Sequence, residues 1–160
     1  MYLGKFNLNN INKTKDIACL LYKLCKVGDV FGLYGDIGTG KTTFARYFIN
    51  QGIKKSKVPS PSYNLYFKYE CRKGSIYHLD AWRINDSLEV LNLGVLENLK
   101  ESIFLIEWAN KIENFLPDCM LSIKMECFEN KRTISFFGND SWKIRLRKKF
   151  DRDLVEDKIE

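Results

Sequence analysis

Four residues early in the chain have the types and spacing of a phosphate cradle. Gly35, Gly40, Lys41 and Thr42 occupy the defined places of G-x-x-x-x-G-K-[ST]. A loop wrapped around a phosphate aims successive backbone N–H groups inward, and glycine reaches the required angles without a Cβ clash. Asp36, Ile37, Gly38 and Thr39 fill the loop and Thr43 follows it, so residues 35–43 are expected to hold a nucleoside triphosphate. Lys41 brings a point charge to the β- and γ-phosphates, and the Thr42 hydroxyl can sit on Mg²⁺. The loop opens a helix, whose N-terminal N–H groups favour an anion.

Holding a nucleotide is less than hydrolysing it, which also needs acids around the metal. Asp80 closes the run SIYHLD, and Glu107 closes FLIE. In an open α/β sheet ligands sit beyond the carboxyl ends of the strands, so two strand-terminal acids can converge there, and Thr42, Asp80 and Glu107 are expected to surround Mg²⁺. The single histidine, His78, lies two residues before Asp80 and reads either as a base or as a hydrogen-bonded structural residue. Trp82 and Arg83 read as a partner-contacting pair or as a plain cation–π pair.

The elements that would position these groups follow from periodicity. Residues 29–34 read as a short buried strand entering the loop, and Phe44, Ala45, Phe48 and Ile49 have helical spacing beyond it. Ahead of these, residues 2–8 suit a strand. The capping side chains of residues 12–16 begin a helix through about Lys26, with Ile17, Leu20, Leu21 and Leu24 on one face. Pro59 and Pro61 flank Ser60 in a stiff, extended loop. A hairpin of strands at 63–71 and 75–80 comes next, then a short helix from Asp86 with Leu88, Leu91 and Leu93 inward, stopped by Gly94. Residues 102–108 form a continuous apolar run that suits a buried parallel strand. Residues 121–127 and 132–137 alternate as two antiparallel strands, and the stretch from Trp142 is either helical or partly disordered. The expected architecture is a three-layer α/β fold of the P-loop NTPase kind, a mixed central sheet flanked by helices.

Composition sets the frame. The chain has 160 residues, 45% apolar and 29% charged, which suits one soluble globular domain over 1–160 with a basic C-terminal tail from about 142. No apolar run approaches the ~20 residues of a membrane span, and the N-terminus lacks a signal-peptide stretch, so a cytoplasmic protein without membrane attachment is expected. Five scattered cysteines with no C-x-x-C pair read as reduced thiols. The net charge of +6 is concentrated in Lys143, Arg145, Arg147, Lys148 and Lys149, a cluster that suits RNA or an acidic partner but more often is a solvated face.

The motifs GDIGTGKTTFAR (35–46), SPSYNLYFKY (60–69), YHLDAWRI (77–84), the stretch 91–94 and LIEW (105–108) stand in an order and at spacings that resemble the bacterial TsaE family. The resemblance covers about residues 10–125. It implies a small P-loop ATPase that assists threonylcarbamoyladenosine modification of tRNA next to the anticodon, with ATP and Mg²⁺ as cofactors. Its implied partners are threonylcarbamoyl-transferase subunits of the TsaD and TsaB type, with tRNA reached through that complex. By the same resemblance Ser60, Pro61 and Ser62 form a switch-like loop, Thr14 lies near the adenine, Arg132 helps cover the nucleotide, and Trp108 joins Lys41, Asp80 and Glu107 in activity. Ser62 and Trp82 depart from the usual threonine and tyrosine but keep a hydroxyl and a flat aromatic. A P-loop small-molecule kinase is the alternative, disfavoured by the absence of an arginine-rich lid between the hairpin and Glu107. A nucleic-acid-binding module that uses ATP only as a switch finds weak support in the basic tail.

Overall fold

A computed structural model describes residues 1–53 and 57–153. One mixed sheet of seven strands organises them: β1 (Tyr2–Asn7), β2 (Val30–Tyr34), β3 (Tyr66–Cys71), β4 (Gly74–Asp80), β5 (Ile103–Glu107), β6 (Leu121–Phe128) and β7 (Lys131–Phe137), in the spatial order β1-β7-β6-β2-β5-β4-β3. The middle four strands, β6, β2, β5 and β4, are mutually parallel, while β3, β7 and β1 run antiparallel to their neighbours. The central strands β2 and β5 are apolar on both faces, as a doubly covered strand must be.

Alternation along those strands feeds two separate cores. Phe31, Leu33, Ile103 and Leu105 face the helices α1 (Ile11–Leu24), α2 (Lys41–Ile49) and α4 (Asp140–Asp153). Val30, Phe104 and Ile106 face a thinner layer made by the one-turn helix α3 (Glu89–Asn92) and the 3₁₀ turns that follow it. The expected three-layer α/β architecture is therefore present. Phe31 is the hinge of the thicker core, its ring 5.0 Å from that of Phe48 and 5.3 Å from that of Trp142, both edge to face. Truncating such a fully buried phenylalanine to alanine typically costs ~3–5 kcal/mol. No helix among the described residues is long and apolar enough to cross a membrane.

Three local expectations need correction. The first helix is capped by Asn10, whose side chain accepts from Lys13 N at 3.1 Å, so it starts before residues 12–16 rather than within them. Strand β3 begins at Tyr66, because Leu65 takes a left-handed turn (φ 64°) that breaks the extended run from residue 63. In α3 it is Val90 that is buried, while Leu88 and Leu91 are half exposed. Asp86 Oδ1 accepts from Leu88 N, and Glu89 Oε1 accepts from Asn85 N and Asp86 N, so acid caps rather than leucines fix the rotation of that single turn.

The basic C-terminal stretch, expected to suit RNA or an acidic partner but more often to be a solvated face, is in part structural. It forms α4, and the first two turns of that helix are structural: Trp142 and Leu146 are buried, and the Trp142 indole donates to Cys119 O at 3.0 Å. Arg145 pairs with Asp29 through two bonds of 3.0 and 2.5 Å and also donates to Leu24 O. Lys73, from the β3–β4 turn, donates to Tyr22 O, Lys23 O and Cys25 O at 2.7–2.9 Å. Two distant cations thus satisfy the orphan carbonyls at the negative end of α1. Lys143 and Arg147 remain exposed, as expected. The side chains of Lys148 and Lys149 lie outside the described residues.

Asp29 is 8% exposed, so removing its partner leaves a largely buried charge unmatched. Arg145→Met is expected to destabilise the fold by about 3 kcal/mol, the lower end for breaking a buried pair because the guanidinium keeps some solvent contact. Urea denaturation measures this directly. An unchanged midpoint would return Arg145 to the solvated face.

Candidate functional site

The site grows from the end of β2. Gly35 leaves the strand at φ 136°, and a Cβ there would lie 2.2 Å from Met125 O, so no other residue fits against β6. Gly40, at φ 107°, turns the chain into α2 in a left-handed conformation. Between them the Thr39 hydroxyl donates to Asp36 O at 2.9 Å, which closes the loop on itself.

Lys41 is 5% exposed and points back under this loop. Its ammonium donates to Gly35 O at 2.5 Å and Asp36 O at 2.8 Å, and sits 4.0 Å from the centroid of the Trp108 ring. Burial pulls its pKa below the ordinary lysine value, against the opposing pull of Glu107, Asp80 and Asp36.

The acids arrive by register. β4 and β5 are parallel and Asp80 lies directly beside Glu107, so both strands present a carboxylate at the same height. Glu107 is 1% exposed, and each of its oxygens has a partner. Thr42, in the first turn of α2, donates its hydroxyl to Oε2 at 2.6 Å, and His78 Nε2 lies 2.8 Å from Oε1. Asp80 accepts from the Ser62 hydroxyl at 2.5 Å and from Trp82 N at 2.9 Å. The Ser60 and Ser62 hydroxyls are 2.9 Å apart, so the proline loop is joined to Asp80 through serine 62.

Trp108 follows Glu107 with φ 56°, a left-handed conformation that costs a bulky residue ~1–2 kcal/mol. This kink ends β5 abruptly and sets the indole beside the lysine and 4.4 Å from the Trp82 ring. Lys41, Thr42, Ser62, Asp80, Glu107 and the two indoles line an open cavity of about 420 Å³.

Of the residues expected from the sequence, Ile37, Gly38, Gly40, Lys41, Thr42, Thr43, Ser62, Asp80, Glu107, Trp108 and Arg132 all line this cavity. Gly35, Asp36 and Thr39 stand behind it as the loop's own scaffold, and Ser60 reaches it only through Ser62. Thr14 lies elsewhere, in a separate cavity of about 250 Å³ that also holds Asn10 and Asn130. Arg132 lines both cavities and is the one side chain bordering each. Trp82, expected with Arg83 as a partner-contacting pair or a plain cation–π pair, lines the larger cavity, while Arg83 lies over Tyr63. The pairing of His78 with Glu107 was not foreseen, although its signal was present: positions 78 and 80 of one strand share a face, so the histidine had to lie on the side of the acids. Arg46 spends its Nε on Val58 O at 2.9 Å, and the Arg83 guanidinium lies 4.3 Å from the Tyr63 ring centroid.

Comparison with known proteins bears on the same elements. The profile of the family described as threonylcarbamoyl adenosine biosynthesis protein TsaE matches residues 8–134, from just after β1 into β7. A tRNA threonylcarbamoyladenosine biosynthesis protein TsaE of Rickettsia felis is 36% identical over 84% of this chain and 80% of its own length. The protein of the same name from Bacillus subtilis is 36% identical over 82% of this chain and 84% of its own. In three dimensions the crystal structure of Bacillus subtilis YdiB superposes with a TM-score of 0.75 at 30% identity, covering 95% of this chain and 97% of that one. The motifs and the residues that line the site lie within the matched region, and the chain belongs to the TsaE family.

Proposed function

We propose that this chain binds ATP with Mg²⁺ in the 420 Å³ cavity and slowly hydrolyses it to ADP and phosphate. This activity would serve threonylcarbamoyladenosine modification of tRNA next to the anticodon, in the cytoplasm, with threonylcarbamoyl-transferase subunits of the TsaD and TsaB type as partners. The observation that carries the reading is the 2.6 Å bond from Thr42 to Glu107, inside a cavity that also holds Lys41 and Asp80. A hydroxyl that donates to a carboxylate keeps its lone pairs for a cation, and it does so here at the first turn of the helix that follows the glycine loop.

The donor set fits a hard cation. Thr42, Glu107 and Asp80 offer only oxygen. Among the described residues no group of three or more His, Cys, Asp or Glu could hold an ion alone. That matches Mg²⁺, which is commonly held by one or two carboxylates together with substrate phosphates. When bound, the ion would neutralise charge on the β- and γ-phosphate oxygens.

The chain's own residues supply the rest. Loop N–H groups and the α2 N-terminus receive the phosphates. Lys41, already oriented along the loop, exchanges carbonyl oxygens for phosphate oxygens. Ser62 couples the proline loop to Asp80, so a change at Asp80 is felt by residues 59–62. Arg132, which lines both cavities, would span phosphate and base, with Thr14 on the base side.

Lys41→Ala is expected to lose most ATP affinity and hydrolysis while its melting temperature stays close to wild type, since the carbonyls it leaves can be hydrated. A folded variant with unchanged hydrolysis would refute the phosphate-loop assignment.

Asp80→Asn and Glu107→Gln keep shape and one acceptor oxygen but remove the charge and turn the other oxygen into a donor. Each is expected to raise the Mg²⁺ concentration for half-maximal nucleotide binding by ~10-fold or more, with metal-free binding little changed. Calorimetric titration with and without Mg²⁺ reads both. Wild-type curves for both variants would remove the acids from the metal site.

Arg46 and Arg83 are occupied elsewhere, Arg132 is shared with the Thr14 cavity, and an arginine supplied at the γ-phosphate is worth ~10³–10⁵ in P-loop hydrolases. Steady-state phosphate release is therefore expected to be slow for the isolated protein and faster once the transferase subunits are added. A fast rate indifferent to those subunits would overturn the accessory role.

A further inference from the structure

His78 is fully buried on β4, one strand away from the carboxylate it touches. Its Nε2 lies 2.8 Å from Glu107 Oε1, and its Nδ1 has no hydrogen-bond partner. These two facts fix the tautomer. A proton on Nδ1 would be a buried donor with nothing to receive it, whereas a bare Nδ1 leaves only a lone pair unused. Nε2 therefore carries the proton and donates it to Glu107.

That bond completes the setting of one side chain. Glu107 Oε1 is held by His78 and Oε2 by Thr42, from opposite sides and from two different elements. A free glutamate rotates about its terminal bond, which is broad and nearly two-fold. Here the rotation is locked, and Oε2 is left aligned with the hydroxyl that faces the cavity. Backbone bonding reinforces the placement, since Ala81 N donates to Glu107 O at 3.0 Å and ties the ends of β4 and β5 together.

We propose that His78 is a positioning residue: its Nε2–H orients the Glu107 carboxylate so that Thr42 presents its hydroxyl oxygen to the cation of the bound nucleotide. This rests on the Mg²⁺–nucleotide reading of the site. A histidine kept only for packing would not need an orphaned nitrogen in the core. An apolar side chain of similar size would fill the space without it, so the position is held for the Nε2–H rather than for volume.

The test compares donors at one position. His78→Gln keeps an amide N–H at the reach of Nε2, His78→Asn withdraws it by one methylene, and His78→Leu removes it. ADP binding is titrated calorimetrically against Mg²⁺, alongside thermal melts. Losing such an outer partner typically costs ~10–100-fold in metal affinity, so His78→Leu and His78→Asn should need that much more Mg²⁺ for half-maximal binding. His78→Gln should stay close to wild type, and metal-free ADP affinity should be unchanged in all three. If His78→Leu fails to fold, the glutamine–asparagine pair carries the comparison. Equal Mg²⁺ curves for those two variants, or a Mg²⁺ requirement that follows the melting temperature rather than the donor, would overturn the proposal. A wild-type protein whose ADP binding ignores Mg²⁺ would instead defeat the underlying metal–nucleotide reading, and this inference with it.

Discussion

A carboxylate buried to 1% exposure at the end of a central strand is the constraint on which the rest of this molecule turns. Such a group is costly unless its oxygens are hydrogen-bonded, and Glu107 finds its side-chain partners on α2 and on β4. Satisfying it therefore fixes the first turn of α2 against β5 and fixes β4 beside β5. The glycine loop is held between those elements, with Met125 of β6 excluding any side chain at its entrance. Site and core share the same anchors: Thr42 and Phe44 lie two residues apart on α2, one on the carboxylate and one fully buried.

A second layer of coupling runs along the cavity's rim. Ser62 and the backbone of Trp82 share the two oxygens of Asp80, and the rings of Trp82 and Trp108 meet above Lys41. Trp108 is held in a left-handed conformation to make that meeting possible. The proline loop, the acid at the end of β4 and the aromatic pair therefore form one connected surface around the lysine. Strain of this kind persists only where the surroundings over-determine it, and here the strand end on one side and the indole pair on the other do so.

Much of this was legible in the sequence because its signals are local. Glycines at fixed offsets announce a loop, a continuous apolar run announces a doubly covered strand, and an acid closing such a run announces its C-terminal end. The convergence of Asp80 and Glu107 needed only the assumption of an open α/β sheet, whereas their side-by-side pairing comes from the register. What escaped notice depends on partners far away in the chain. Arg145 looks like one more charge in a basic stretch until Asp29, 116 residues earlier, is brought beneath it. Leu88 and Leu91 look like an inward face, but a helix of one turn takes its rotation from its caps. Thr14 was expected near the base of a nucleotide, and it lies in a smaller neighbouring cavity joined to the first by Arg132. His78 lay between these cases, on the correct face by parity, with a partner that only the register reveals.

The pairing of β1 with β7 bears on how the chain comes together during synthesis. Among the described residues Tyr2–Asn7 has no ladder partner except Lys131–Phe137, so the first strand made is among the last to be paired. The carbonyl end of α1 waits similarly, for Lys73 of the hairpin and then for Arg145 of the final helix. Contacts of such long range are slow to form, because closure entropy is spent before they reward it. The glycine loop and its acids, in contrast, are enclosed by β2, β4, β5 and α2, all of which are complete once Glu107 has been added. A ribosome-bound chain thus carries every acid of the cavity before it carries β7, the strand that joins β1 to the rest of the sheet.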